Sequence, residues 1–377
     1  MRRSAEFQDD CDDYGEISAS SRFARRSSLR AAIFGRAEGE SEGANDRVDV
    51  WAPRPPRDRA VVTGQVLDVS PHLIILRTST GEQRLTLTPG TKAWRGQTLP
   101  PAAIRHGDHV IVRKSRHSAS SASSARNATN ARNAPRRPEL AERVWAQIGR
   151  VTGIIIEKKD TQLLVDEGPA KGRKIVIIGD GSLRQILVRF PRMEPGYLID
   201  VIGLRQQGYL LALTPATAQP PYRADHPPSP PLVNGHVPER ISGTVVWHEP
   251  GEEPDDLLGV AYPALDPETN CEHTSQQYHQ HQHEPHVVDP HTVGPGCVRL
   301  PYLSVGSAVR IHNECSDSTD VLPVTSCGAA ARLFCDRCVK CGTSPRGRVA
   351  DLTISAFAEL GGNLEDGCFN ATLAMAG

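Results

Sequence analysis

Apolar side chains along this chain come in short runs that alternate with polar ones, punctuated by Gly, Pro, Ser and Asn. That is the pattern of half-buried strands. Val61-Val62-Thr63-Gly64-Gln65-Val66-Leu67-Asp68-Val69, Leu73-Ile74-Ile75-Leu76, Arg84-Leu85-Thr86-Leu87 and His109-Val110-Ile111-Val112 read as four strands. The pattern recurs 89 residues further on: Thr63-Gly64 becomes Thr152-Gly153, Ile74-Ile75-Leu76 becomes Leu163-Leu164-Val165, Arg84 becomes Arg173, Gly107 becomes Gly196 and Val110 becomes Ile199. An ungapped match of turn glycines and strand positions is an internal repeat. Each copy has the size of a small five-stranded barrel of the oligonucleotide/oligosaccharide-binding (OB) type.

The organisation expected is therefore all-β. A polar leader without periodicity covers residues 1–56, a first small barrel 57–114, a Ser/Ala/Asn/Arg linker 115–140 and a second barrel 141–216. A Pro-rich linker, 217–240, precedes a last domain, 241–377, opened by the strand Ile241–Trp247. Within that domain Asp266–Pro295 shows no strand or helix period and reads as a long insertion carrying His279, His281, His283 and His286.

Composition refines this. Aromatics are only 5%, with 32 Gly and 30 Pro among 377 residues, which fits small β-domains joined by linkers. No run reaches the ~18 apolar residues of a membrane-spanning helix, so no membrane span is expected. The net charge of −1 hides an asymmetry: residues 57–137 hold 14 Lys/Arg against 4 Asp/Glu, and residues 241–377 hold 7 against 18. A basic front and an acidic back point to different partners at the two ends.

Eight of the nine cysteines lie late in the chain: Cys271, Cys297, Cys315, Cys327, Cys335, Cys338, Cys341 and Cys368. An even number in a compact region reads as a disulfide framework, with about 105 pairings that the sequence leaves open, and hence as an oxidising compartment. Reductant is then expected to unfold residues 241–377 and to spare the cysteine-free barrels. The leader supplies no clear signal peptide; Arg25-Arg26-Ser27-Ser28-Leu29 is followed only by Ala31-Ala32-Ile33-Phe34.

Chemistry concentrates between Leu333 and Phe357. The run Cys335-Asp336-Arg337-Cys338-Val339-Lys340-Cys341 is followed by a Pro-Arg-Gly turn, a short strand Val349-Ala350-Asp351-Leu352, and Thr353 as the N-cap of an apolar-faced helix through Ile354, Phe357 and Leu360. Asp351 thus stands where a strand passes into a helix. Asp336-x-Cys338-x-x-Cys341 with Gly347-Arg348-Val349-Ala350-Asp351-Leu352-Thr353-x-x-Ala356-Phe357 resembles the signature of double-psi β-barrel proteins, the expansin-like and rare-lipoprotein-A-like wall proteins. Gly259-Val260-Ala261-Tyr262 is similar to their opening strand, and Leu300-Pro301-x-x-x-Val305-Gly306-Ser307-x-Val309-Arg310-Ile311 to a later segment.

The resemblance covers about the last third of the chain and implies a six-stranded double-psi barrel with short helices. It implies a secreted or cell-wall-associated protein that binds wall polysaccharide or peptidoglycan and loosens it without hydrolysis. Asp351 and Asp336 would be the catalytic or groove-lining carboxylates, with Tyr262 as a sugar platform and Arg348 and Thr353 as further substrate-binding residues. The alternative is a lytic transglycosylase or glycosidase acting through the same two carboxylates, since glycan cleavage needs an acid of raised pKa. Where the lytic enzymes carry a histidine this chain has Cys297, and His291 is out of register, which favours the non-hydrolytic reading.

No cofactor or metal is expected. Cys335, Cys338, Cys341 and Cys327 have zinc-compatible spacing, but the remaining cysteines also need partners, which favours disulfides. The basic barrels suit an anionic wall polymer, but their favoured reading is as spacers or protein-docking modules. Nucleic acid is disfavoured, because single-strand binding usually wants stacking aromatics and Trp94 is almost alone in the first copy. An intracellular zinc and nucleic-acid protein is the third reading.

Overall fold

A computed structural model describes residues 59–115, 139–168, 171–218, 239–249, 256–262, 264–265, 300–301, 303–328, 338 and 347–375. The leader, all but the ends of the two linkers, the histidine run, Asp336, Cys271, Cys297, Cys335 and Cys341 lie outside the described residues. The strands read from the hydrophobic pattern are present. The first repeat holds β1 (Val61–Val69), β2 (Leu73–Thr78), β3 (Gly81–Thr86), the short β4 (Lys92–Trp94) and β5 (Thr98–Leu99), then β6 (His109–Lys114). Its sheet runs β3-β2-β1-β6 and continues through β7 (Ala141–Ala146) to β4 and β5.

The second repeat holds β8 (Ile148–Lys159), β9 (Gln162–Asp166), β10 (Arg173–Ile178), helix α1 (Asp180–Arg189), β11 (Leu198–Gln206) and β12 (Tyr209–Pro215), closed in the order β10-β12-β11-β8-β9. The two repeats share fine detail. The β1–β2 ladder shifts register between Val66 and Asp68, and the β8–β9 ladder between Ile155 and Glu157, each 89 residues on. A Cβ at Gly64 would lie 2.4 Å from the Arg77 carbonyl oxygen, and one at Gly153 would lie 2.1 Å from that of Asp166. The glycines are there because a neighbouring strand's backbone occupies the side-chain position.

One boundary is corrected. Residues 141–146, read from the sequence as the start of the second barrel, are the fifth long strand of the first: β7 pairs antiparallel with β6 and parallel with β4. The Thr86 N–H donates to the Glu139 carbonyl, returning β3 to the entry of β7 as β10 returns to β12. The linker therefore interrupts the first barrel between its fourth and fifth strands, where the second has the tight Gln207-Gly208 turn. Only Gln147, with a left-handed φ of 52°, separates β7 from β8. The long linker does not space the barrels apart.

The C-terminal part is a closed six-stranded barrel of β13 (Arg240–His248), β14 (Val260–Tyr262), β17 (Ala308–Asn313), β18 (Ser318–Cys327), β19 (Arg348–Thr353) and β20 (Cys368–Met375), in the order β13-β19-β14-β18-β17-β20. β13 and β19 run parallel, as do β14 and β18, and the remaining neighbours are antiparallel. A two-stranded parallel pair, β15 (Ala264–Leu265) and β16 (Leu303–Ser304), stands beside it. Helix α2 (Ile354–Glu359) follows β19 directly. Thr353 stands at its N-cap position but does not cap it. Its hydroxyl donates to the Leu257 carbonyl and accepts the Gly259 N–H, tying the strand end to the loop before β14.

All described residues belong to one unit, in which the first repeat has its own core around Val66, Ile74, Leu85 and Val112 and the second its own around Val151, Val165, Val176 and Val201. Val61, Trp94, Ile111 and Trp145 of the first barrel and Ile148, Ile202 and Ala216 of the second are continuous with the interior of the third, around Val245, Trp247, Phe357 and Phe369. The Phe357 and Phe369 rings stack at 4.7 Å.

Candidate functional site

Strand β19 places Asp351 beside Ala261 of β14 and Val246 of β13. Three residues earlier on the same strand, Arg348 is also buried. Its Nη1 lies 3.5 Å from Asp351 Oδ1, and its Nη2 lies 2.6 Å from Asp200 Oδ2, on β11 of the second barrel. Asp200 is wholly buried and receives Arg150 Nε at 2.8 Å and Arg150 Nη2 at 2.5 Å. The Thr152 and Thr217 hydroxyls also donate to it. Arg150 Nη1 reaches back to the Gly367 carbonyl of the third barrel at 2.6 Å, and its guanidinium lies 5.5 Å from the Trp247 ring centroid.

Two arginines and two aspartates thus alternate across the barrel–barrel interface. Burial alone would raise the pKa of Asp200, but the Arg150 and then the Arg348 guanidinium, with their hydrogen bonds, outweigh it and hold the carboxyl below its ordinary range. A second charged cluster stands nearby. The Glu249 carboxylate accepts the Arg150 N–H at 2.7 Å and pairs with Lys174 and Arg205. Glu167 accepts the Thr152 N–H, and its pKa is raised, chiefly by burial and further by the Glu249 charge, against opposing Lys171 and Lys174.

The first barrel docks through a different set. Arg113 donates to the Gly362 carbonyl and to Asn363, while Arg143 and the Trp145 indole N–H both meet Glu365. Arg113 and Arg143 lie 5.4 and 5.7 Å from the Trp145 ring centroid.

The structure places Arg348, Asp351 and Thr353 together on β19, where all three are buried rather than lining an open groove. Asp351 is 5% exposed. Tyr262 is corrected: its side chain lies wholly inside the core, so it presents no platform for a sugar ring. Burial pushes its pKa up, and its hydroxyl has no hydrogen-bond partner among the described residues. Of the cysteines with described side chains, Cys315 is in disulfide form, whereas Cys338 and Cys368 are buried outside any disulfide. No three described His, Cys, Asp or Glu side chains cluster as a metal site. Among the described residues no helix is long and apolar enough to cross a membrane.

The residues that sequence reading missed are Arg150 and Asp200, and the repeat carried the signal. They stand 89 positions after Val61 and Ile111, so two apolar strand positions of the first copy have become charged in the second. Both sets face the third barrel, one as apolar packing and the other as a buried ion pair. No protein-family profile matches the chain, and no curated protein matches it in sequence.

Proposed function

We propose that the chain is an exported, wall-associated protein whose C-terminal barrel has double-psi connectivity and binds wall polysaccharide or peptidoglycan without cleaving it. Support for the connectivity comes from two parallel strand pairs in one closed six-stranded barrel, with the Asp351-Leu352-Thr353 segment passing from strand into helix. The observation that carries the non-hydrolytic reading is the position of Asp351. Its side chain is 7% exposed, beside Arg348, whose other nitrogen is bound to Asp200. A general acid must come within hydrogen-bond reach of the glycosidic oxygen, and a carboxylate held this way does not. The basic first barrel would add attraction for an anionic wall polymer, a contribution that weakens with salt.

The test is incubation of the full chain with insoluble peptidoglycan, followed by analysis of pellet and supernatant. Retention in the pellet without soluble muropeptides is expected. Release of muropeptides that is lost in Asp351→Asn would replace this reading by the lytic one.

A further inference from the structure

The second barrel carries an apolar patch that neither the candidate site nor the docking surfaces use. Among the described residues three large apolar side chains are exposed, and all belong to this barrel: Ile156 in the β8–β9 bulge, and Leu187 and Val188 in the last turn of α1. In the first copy the corresponding positions, 91–100, hold β4 and β5 instead of a helix, with Trp94 buried. The inner side of α1 is occupied: Ser182 and Ile186 are buried, and Ile186 joins Phe190, one turn on, in the barrel core. At 3.6 residues per turn, Arg184 and Val188 stand together on the side opposite Ile186. Val188 is 70% exposed, so it protrudes rather than lining a cleft. Arg184 and Arg189 are exposed and make no ion pair among the described residues. Arg192, also exposed, lies over the Tyr197 ring, 6.0 Å from its centroid. Residues 184–197 hold these three arginines against one acid, Glu194. Asp180 is at the far end of the helix, about 12 Å from Val188 along its axis, beyond the ~8 Å screening length of physiological salt.

We infer that this end of the second barrel is a contact for an anionic lipid surface, in which Leu187 and Val188 enter the headgroup region while Arg184, Arg189 and Arg192 meet its phosphates. The uncompensated arginines select a negative partner, and the protruding aliphatic pair selects a soft, partly apolar one. A polynucleotide would call instead for stacking aromatics. A second copy of the same face would set arginines against arginines, which is repulsive. Each aliphatic side chain taken out of water strengthens the contact by about tenfold, and each arginine beside an anionic leaflet by about fivefold. A patch of this size holds the chain at the surface reversibly.

This inference goes beyond the glycan reading and stands or falls without it, since lipid vesicles contain no wall polymer. The full chain is floated with vesicles of equal parts phosphatidylglycerol and phosphatidylcholine, and with vesicles of phosphatidylcholine alone. Binding to the first, absent from the second and weakened by added salt, is expected. Val188→Ser should weaken it by about tenfold and Arg184→Gln by about fivefold, each with an unchanged thermal melt because both positions are exposed. Equal binding to both vesicles, or to neither, would overturn the inference. So would binding that neither substitution alters, which would place the contact elsewhere on the chain. Retention on an immobilised acidic polypeptide in place of anionic vesicles would overturn it too, by giving the patch to a protein partner.

Discussion

At the scale of single residues, Asp200 is the one to remove. Asp200→Asn leaves two buried guanidiniums without their shared carboxylate, and breaking a buried ion pair from one side typically costs ~3–5 kcal/mol. A urea titration should show a loss of that order. The Asp200 pKa is depressed in the folded chain, so its contribution is complete above the ordinary value of 3.8. It is lost as the pH falls from there through the lower folded value. Acid titration of the stability should therefore flatten in Asp200→Asn. Glu167 has the opposite sign. Its folded pKa is raised above 4.5, so ionising it works against the fold as the pH rises through that range. Glu167→Gln should be neutral or stabilising near pH 7, and a marked loss of stability would show that the Glu167 charge holds the interface together.

At the scale of elements, the hydrophobic pattern placed most strands and the short helix after Thr353, because alternation and turn glycines are local properties. It misassigned β7, since no local feature of Ala141–Ala146 says which barrel its edge will join. The inserted linker breaks the constant offset just before it. A fragment ending at residue 114 should therefore fail to form a stable barrel by circular dichroism, whereas one extending through Ala146 should gain strand signal. The closely approached glycines are a second test of the repeat. Gly64→Ala and Gly153→Ala each drive a methyl into a neighbouring carbonyl, and overpacking of this kind typically costs ~1–3 kcal/mol. The site was less legible than the strands. Asp351 and Arg348 were found from a motif, but the partner that holds Arg348 lies 148 positions away. Tyr262 was misjudged because its type suits both a sugar platform and a core.

At the scale of the molecule, the seven-stranded sheet of the first repeat and the two closed barrels form one body. A single residue joins the first two, each of which keeps its own core; the third packs against both through apolar residues continuous with its interior, and buried charges fix its docking on each. The cysteine distribution alone predicts that reductant unfolds residues 241–377 and leaves the barrels intact. The apolar cluster continuous across the interfaces predicts instead that destabilising the third barrel exposes Trp145, Ile148 and Ile202 and lowers the stability of the other two. Under the proposed function, the C-terminal barrel would then be presented in a fixed orientation relative to the basic first repeat, as one long polymer touching both would require.

Differential scanning calorimetry of the full chain tests this unity most directly. The account predicts one unfolding transition with equal calorimetric and van't Hoff enthalpies, shifted as a whole to lower temperature by reductant or by Asp200→Asn. Separate transitions, of which only one moves with reductant, would contradict it.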